Sequence, residues 1–460
     1  SVLFRLHDMT SPNHHQPHPN GEKYHEYRAY GRRWYMLAAF FGVAAQNSSQ
    51  WICLSPVVNV VASHFNTSPF WVYCSILVFD LLSVFSFAVG VFISRHGLSQ
   101  AILWAAFLTF FGGWVKAIWL SASGQVCGQT IIAVAHVFSS VSVPVFSAVW
   151  FPTSQRALST SILFFSTILG GGTGFLLAPL VIKTEADVPT FMLVQAVIGT
   201  VTCAPTVFLQ RKPPTPPSRS AEIAERQLPT AFSKDIRNIL RNHQFLILLS
   251  GFCLSFALLN TVAITANDIF ADFGYNNFQI GVIGAGTVFC GMLGCVFLSV
   301  FVDHTDLYKE SLVVMNTLAG MAMCTLWVNL KANNFGWLSF SVFVAGFFGI
   351  SSFPVAYEIG CEILFPIHEA VSTGVMTVSA QWLSIVMVMF EYFGTQQKEI
   401  VPLWAAILYI VVVALFCCFK GDLKRRMIDK QADLNDRVSD RGVNSSGELS
   451  DPYEAAMKTL

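Results

Sequence analysis

The chain has 460 residues, of which 54% are hydrophobic, 14% aromatic and only 12% charged, and its formal net charge is zero. A soluble domain carries about 25% charged residues, so the composition excludes an ordinary water-soluble globule and points to lipid as the surrounding solvent. Charge balance gives no reason to expect a nucleic-acid partner, and the eleven cysteines, nearly all inside apolar runs with Cys127 the main loop candidate, read as buried thiols and not as a disulfide framework.

Residues 1–33 form a polar tail containing His and Pro, without the pattern of a signal peptide. A chain opening on Ser1 is expected to lack its natural start. The stretch NHHQPHPN (13–20) holds metal-capable histidines, but disorder accounts for it better; no metal site and no cofactor are expected. A helix crosses a bilayer with about 20 apolar residues. Stretches of that kind lie at roughly 34–61, 70–94, 99–121, 127–149, 157–182 and 188–209, then at 244–270, 277–302, 310–330, 334–357, 370–395 and 400–419. The expected fold class is an all-α polytopic membrane protein with twelve transmembrane helices. A soluble protein with twelve buried helices would need far more polar faces.

Span one contains QNSSQW (46–51) where lipid should be. At about 100° per residue, Gln46 and Gln50 stack on one face, Asn47 and Trp51 on the neighbouring one, and Ser48 points more nearly opposite. Amides facing lipid would cost several kcal/mol each, so these faces look into protein or water. Either they line a solute site, or they bridge neighbouring helices through hydrogen bonds. Pro56, near the outer end, marks a flexing point or a static kink.

Asp80 is about ten residues into span two and His136 is similarly deep in span four, while Lys116 lies in the outer part of span three. Each is costly against lipid. His136 is the preferred proton-sensitive group because an ordinary imidazole titrates near neutrality, and Asp80 would partner it or a substrate amine. The plainer reading of His136 is a histidine hydrogen-bonded inside the bundle; that of Lys116 is a side chain reaching to the outer surface. Gly170, Gly171, Gly172 and Gly174 in span five, with Gly281, Gly284, Gly291 and Gly294 in span eight, read as close packing, not phosphate loops.

The linker 210–243 separates six spans from six. Its KPPTPPS segment (Lys212–Ser218) is a stiff spacer, and AFSKDIRNILRN (231–242) sets Phe232, Ile236, Ile239 and Leu240 on one helical face, a basic amphipathic helix expected to lie on the membrane. The halves are thus 34–209 and 244–419, followed by the tail 420–460. FPTSQRALST after span four and FPIHEAVSTG after span ten repeat one pattern, with Phe151 and Phe365 214 residues apart. Two similar six-helix halves, both starting on one side, are the parallel-repeat arrangement of major facilitator transporters.

Lys and Arg set the orientation. Arg28, Arg32, Arg33, Arg95, Arg156, Lys309, Lys420, Lys424, Arg425 and Arg426 share one side with the basic linker, whereas the opposite loops hold Lys183, Lys331 and Lys398. Both termini and the linker are therefore expected in the cytosol. The sequon at Asn66 faces outward but is followed by Pro69 in a short loop, and the one at Asn444 is cytosolic, so glycosylation is expected at neither. Cys417 and Cys418, at the inner end of span twelve, are palmitoylation candidates. The tails hold no acidic dileucine signal, which favours the plasma membrane over the lysosome.

WFPTSQRA (150–157), GFLLAP (174–179), PPTPPS, FVDHT (301–305) and PVAYEIGCEILFP…E…STG (354–374) resemble the feline leukaemia virus subgroup C receptor-related family, solute carrier family 49, nearest its poorly characterised third member. The resemblance spans about 400 residues of both halves. It implies a major facilitator fold with a central cavity, alternating access and a small organic solute; haem, choline, ethanolamine and pyridoxine are assigned to different relatives. It places span one on the cavity wall, where Asn47, Gln50 and Trp51 would line a substrate site with His136, Asn260 and Gln381. The tryptophan of the choline-holding aromatic cage falls on Trp51 and its late glutamine on Gln381. The cage's other glutamine aligns with Ile168 and its second aromatic with Asn260, which weakens the case for choline. Ser94 stands where the general major facilitator loop between spans two and three usually has Asp; the counterpart after span eight keeps Asp303.

Glu358, Glu362 and Glu369 cluster at the inner end of span ten, with Arg156 in the matching place of the first half; ion pairs forming and breaking there would make a cytosolic gate. The expected function is a secondary-active or facilitative transporter of a cationic, zwitterionic or vitamin-like solute, with a proton or ion coupled through Asp80 and His136. The alternatives are haem or choline as substrate, or a transport-inactive receptor or scaffold. No deep catalytic set is present, so an enzyme is not expected. Nothing in the sequence fixes the oligomeric state; a monomer is the default.

Overall fold

The computed structural model describes residues 30–210, 215, 232–331, 334–364, 367, 369–394 and 398–420, without the side chains of 94, 153, 154, 156, 157, 232–235, 303, 331, 369 and 370. The expectations for NHHQPHPN, Asn444, most of KPPTPPS, and the side chains of Ser94, Arg156, Asp303 and Glu369 lie outside this set. All regular structure among the described residues is helical, as lipid requires of a chain that must satisfy its backbone internally. Eleven of these helices are long and apolar enough to cross a membrane. The twelfth, span one, is a continuous helix over Arg32–Ile52 whose apolar character is diluted by QNSSQ.

Local chemistry sets the helix ends. Span two starts at Pro69, where the Ser68 hydroxyl accepts from Phe70 N. Span four starts at Ala122, capped by Ser121 on Gly124 N. Span seven starts at His243 beneath Asn242, and span eight at Asn277 with the reciprocal Asn276–Gln279 box. Span four stops at Trp150, two residues before Pro152, and span five begins at Thr153.

Spans one and seven break at matching depths. The first helix ends at Ile52, turns through Ser55–Val57 around Pro56, and resumes over Val58–His64. Span seven runs over His243–Ile264 and then, past Thr265, over Ala266–Ala271. Each break supplies what the other lacks. Ser55 Oγ donates to the carbonyl oxygens of Ala263 (2.6 Å) and Ile264 (3.1 Å), while Asn267 Nδ2 donates to the Pro56 carbonyl at 2.8 Å. Carbonyls freed within the bundle are thus satisfied across the two halves. Span two, expected to be continuous, is interrupted by a tight turn at Ser83–Phe85 between Pro69–Leu82 and Ser86–His96.

One apolar core fills the second half and another the inner part of the first. A third joins the halves at the end opposite the linker, called here the outer end, through Ile52, Tyr73 and Phe175 on one side and Ile264, Ala285 and Val388 on the other. The glycine runs divide between two jobs. Gly172 faces Phe289, and Gly281 and Gly284 face Phe175, at the boundary between halves. Gly170 and Gly174 instead let span one approach within the first half, against the backbones of Ala45 and Ser49. Gly291 and Gly294 take span ten at Ile350 and Phe347.

Two further expectations change. Cys127 lies inside the helix Ala122–Trp150 and not in a loop. Only Cys53 and Cys253 are buried, and Cys127, Cys324, Cys417 and Cys418 are exposed; lipid tails are as apolar as a protein core, so an apolar stretch need not be an inward one. The linker helix forms over Phe232–Arg241. Its Ile239 is buried in the second-half core while Leu240 is exposed, so the expected single apolar stripe is shared between protein and surroundings.

Candidate functional site

Two hydrogen-bonded groups gather four of the residues singled out in the sequence, Asp80, Asn260, Asn47 and His136. The first crosses between the halves. Asp80, in the last turn before the break in span two, accepts from Asn260 Nδ2 of span seven at 3.3 Å, and the same amide donates to Ser384 Oγ of span eleven at 2.7 Å. Asp80, Asn260 and Ser384 are 1%, 7% and 0% exposed. Among the described residues no Lys, Arg or His forms an ion pair with Asp80. A buried carboxylate without a cation is costly, and a single amide donor is thin compensation.

The second group lies within the first half. Asn47 Nδ2 donates to Thr109 Oγ1 and to the Ile132 carbonyl oxygen, both at 3.1 Å, which orients the amide and leaves Oδ1 as acceptor. His136 Nδ1 is 2.8 Å from that oxygen and therefore carries the proton, leaving Nε2 of the neutral ring as an acceptor. Phe79, the neighbour of Asp80, lies 5.6 Å from the imidazole, centroid to centroid. Trp51 packs on the cluster of Phe79, Ile132 and Ala133, and its indole Nε1 is buried without a partner among the described residues. On span eleven, Gln381 stands one turn before Ser384, its Oε1 also buried without a partner among the described residues.

The structure thus brings together Asp80 and Asn260, and separately Asn47 and His136. It sets Gln50 elsewhere. Gln50 is fully buried, its amide 3.7 Å and 3.9 Å from where a Cβ would stand on Gly113 and Gly199. Gln46 on the same face donates to Gln195 Oε1 at 2.7 Å and to the Gln195 carbonyl at 3.2 Å. This face wedges between spans three and six, about 100° from the Asn47 face.

Lys116 does not reach the outer surface. It is 2% exposed and donates to Gln129 Oε1 at 3.0 Å, and Gln129 Nε2 donates onward to the Gln50 carbonyl at 2.7 Å. Of the cytosolic-gate candidates, Glu358 accepts from Tyr308 at 2.9 Å within the second half and Glu362 is 7% exposed.

Sequence reading passed over Ser384, a small polar residue indistinguishable from many others, and Glu391, a carboxylate close to the end of an apolar run. Glu391 is fully buried and pairs with Lys398 at 2.8 Å. Among the described residues no group of His, Cys, Asp and Glu could hold a metal ion.

Comparison with known proteins places the chain in a family. The Major Facilitator Superfamily profile matches residues 39–389. The chain is similar to solute carrier family 49 member A3 of Xenopus tropicalis, at 28% identity over 87% of each chain. It is similar to the choline/ethanolamine transporter FLVCR2 of Homo sapiens at 25% identity, over 87% of this chain and 79% of that one. Among solved structures, a D-xylose–proton symporter superposes with a TM-score of 0.62 at 14% identity, covering 86% of this chain and all of the other. A bacterial homologue of the human lysosomal transporter Spinster gives 0.60 at 11%, over 85% and 97%.

Proposed function

This chain belongs to the Major Facilitator Superfamily, and from that membership we propose that it carries a small organic ammonium solute across its membrane by alternating access, with Asp80 as the counter-charge. The observation that carries the reading is the position of Asp80: a buried carboxylate at the junction of the halves, held by Asn260 and without a protein cation among the described residues. A cationic solute supplies the missing charge, and a carboxylate at that junction meets it in either orientation of the halves.

The polar neighbours define the solute further. Relatives of this chain are named choline/ethanolamine transporters. Asn260 stands where the choline cage by resemblance has an aromatic ring, and Asp80, Asn260 and Gln381 offer hydrogen-bond acceptors. A primary ammonium donates to such acceptors; a quaternary one has no N–H and depends on aromatic faces, of which Trp51 is the single one retained. The reading therefore favours an ethanolamine-like amine over choline and gives no role to haem. His136, through its free Nε2, is the group through which a proton would be coupled. Arg156, Glu358, Glu362 and Glu369 remain the proposed inner gate, with the linker and both tails in the cytosol and the plasma membrane as location. The reading includes no catalytic step.

The test is uptake of labelled ethanolamine and choline into liposomes holding the purified chain, wild type against Asp80→Asn. Faster ethanolamine than choline uptake, lost in the variant, supports the proposal. Uptake of neither amine above empty liposomes would favour the receptor or scaffold reading, and equal uptake by both proteins would remove Asp80 from the site.

A further inference from the structure

At the outer end the protein's own lysine fills a cation-shaped recess. Lys398 Nζ stands 2.8 Å from Glu391 Oε1, donates to the Glu391 carbonyl oxygen at 3.0 Å, and lies 5.6 Å from the centroid of the Tyr392 ring. Carboxylate, carbonyl and aromatic face together are the elements with which proteins recognise an ammonium group.

The two partners are unequal. The Glu391 side chain is 0% exposed and sits on the long helix of span eleven. The Lys398 side chain is 16% exposed and belongs to a three-residue turn before span twelve. The anion is built into the fold; the cation hangs over it on a flexible stem.

The recess also holds a second carboxyl group that Lys398 does not pair with directly. Asp268 of span seven lies within electrostatic reach of the same ammonium. Glu391 Oε2 is buried without a hydrogen-bond partner among the described residues, and the hydroxyl of Tyr73 lies beside Asp268 and Glu391. Two carboxylates thus stand near one lysine, with the Tyr73 phenol beside them. The walls come from both halves, Tyr73 from span two and Tyr392 from span eleven, with the Tyr392 hydroxyl 3.1 Å from Ser68 Oγ.

We propose that this recess is an outer binding site for an organic ammonium ion, occupied by Lys398 as a tethered surrogate while the outer end is closed and released when the halves part there. The site rests on the amine reading above but not on Asp80, because Glu391 lies beyond Asp80 toward the outer end. Removing the tethered amine leaves Glu391 buried and unpaired, so an external ammonium becomes its replacement.

The experiment uses the purified full chain in detergent and follows its unfolding temperature in methylammonium chloride and tetramethylammonium chloride, each against sodium chloride at equal ionic strength. Lys398→Met is expected to reach half-maximal stabilisation at roughly tenfold lower ammonium concentration than wild type, as expected when a competing intramolecular ligand is removed. The response should persist in D80N/K398M and vanish in E391Q/K398M. A Lys398→Met protein that responds no more than to sodium chloride overturns the outer site. So does a response that depends on Asp80 and not on Glu391, which would instead support the central site. If Lys398→Met does not fold, Lys398→Gln, with a side chain able to keep the turn's packing, gives the same comparison.

Discussion

Asp80 and Asn260, 180 residues apart in the chain and on opposite halves of the molecule, meet through a hydrogen bond of 3.3 Å. Any rearrangement that tilts one half against the other acts on this contact, and a solute cation seated beside Asp80 competes with the Asn260 amide for the same carboxylate.

Replacing Asn260 should therefore change selectivity more than capacity. Asn260→Tyr adds an aromatic face and removes an amide, and a cation–π contact contributes about 0.5–2 kcal/mol. The expected result is a rise of about threefold to tenfold in choline over ethanolamine uptake, measured by competition in liposomes. An unchanged ratio would place Asn260 outside the solute's contacts.

Trp51 makes a separable prediction. Its indole packs on Phe79 and Ile132, and its N–H is buried without a partner among the described residues. If the ring face holds the cation, Trp51→Leu should raise KM for the amine about fivefold or more, while Trp51→Phe recovers most of the loss. Trp51→Phe keeps a ring in the same packing, and Trp51→Leu keeps an apolar side chain at the cost of a cavity, so unfolding temperatures of both are measured alongside KM. Identical KM values for wild type and Trp51→Leu would leave the indole as core packing alone.

The fold was readable from the sequence because lipid imposes one rule: long apolar runs must be helices, and polar residues within them must face inward. Asp80, Asn47 and His136 stood out for that reason, and each has a protein partner. Pro56 marked the break in span one, although its counterpart at Thr265 has no proline and is recognisable only once the helices are side by side. The 100° wheel separated Gln46 and Gln50 from Asn47 and Trp51, yet could not say which face met span six and which met span four. That depends on helix rotation, set by contacts such as Gly170 on Ala45 and Gly174 on Ser49. Glu391 was passed over because near a span end a carboxylate is cheap if solvated, and only its pairing with Lys398 reveals that it is not.

Gly171 and Gly174 offer a contrast within one helix. A Cβ at Gly174 would stand 2.5 Å from the Ser49 carbonyl oxygen, whereas nothing lies within 4 Å of one at Gly171. Gly174→Ala should lower stability by about 1–3 kcal/mol through forced separation of spans one and five. Gly171→Ala should be neutral or slightly stabilising, since alanine favours a helix interior over glycine by about 1 kcal/mol. Thermal unfolding in detergent separates the two. A Gly174→Ala protein as stable as wild type would mean that the two helices part freely.

The breaks in spans one and seven carry the last prediction. Ser55 donates to the carbonyls of Ala263 and Ile264, and Asn267 to that of Pro56. These bonds exist only while the outer ends of the halves touch, so they stabilise that closed arrangement relative to one in which the halves have parted. Polar contacts inside membrane bundles average about 0.6 kcal/mol each and reach about 1.7. Ser55 shares one hydroxyl proton between its two carbonyls, so S55A/N267V removes two donors and should favour the parted state by about 1 kcal/mol or more, a shift of roughly fivefold or more in its population. Val388 of span eleven is fully buried in the cluster that joins the halves, so a cysteine there reports the opening. In a Val388→Cys background, peptide-level mass spectrometry should show alkylation of position 388 by an impermeant maleimide about fivefold or more faster in the double variant than without it. Equal rates would show that the paired breaks do not hold the outer end shut, and the apolar contacts of Ile52, Phe175 and Ile264 would then have to do so alone.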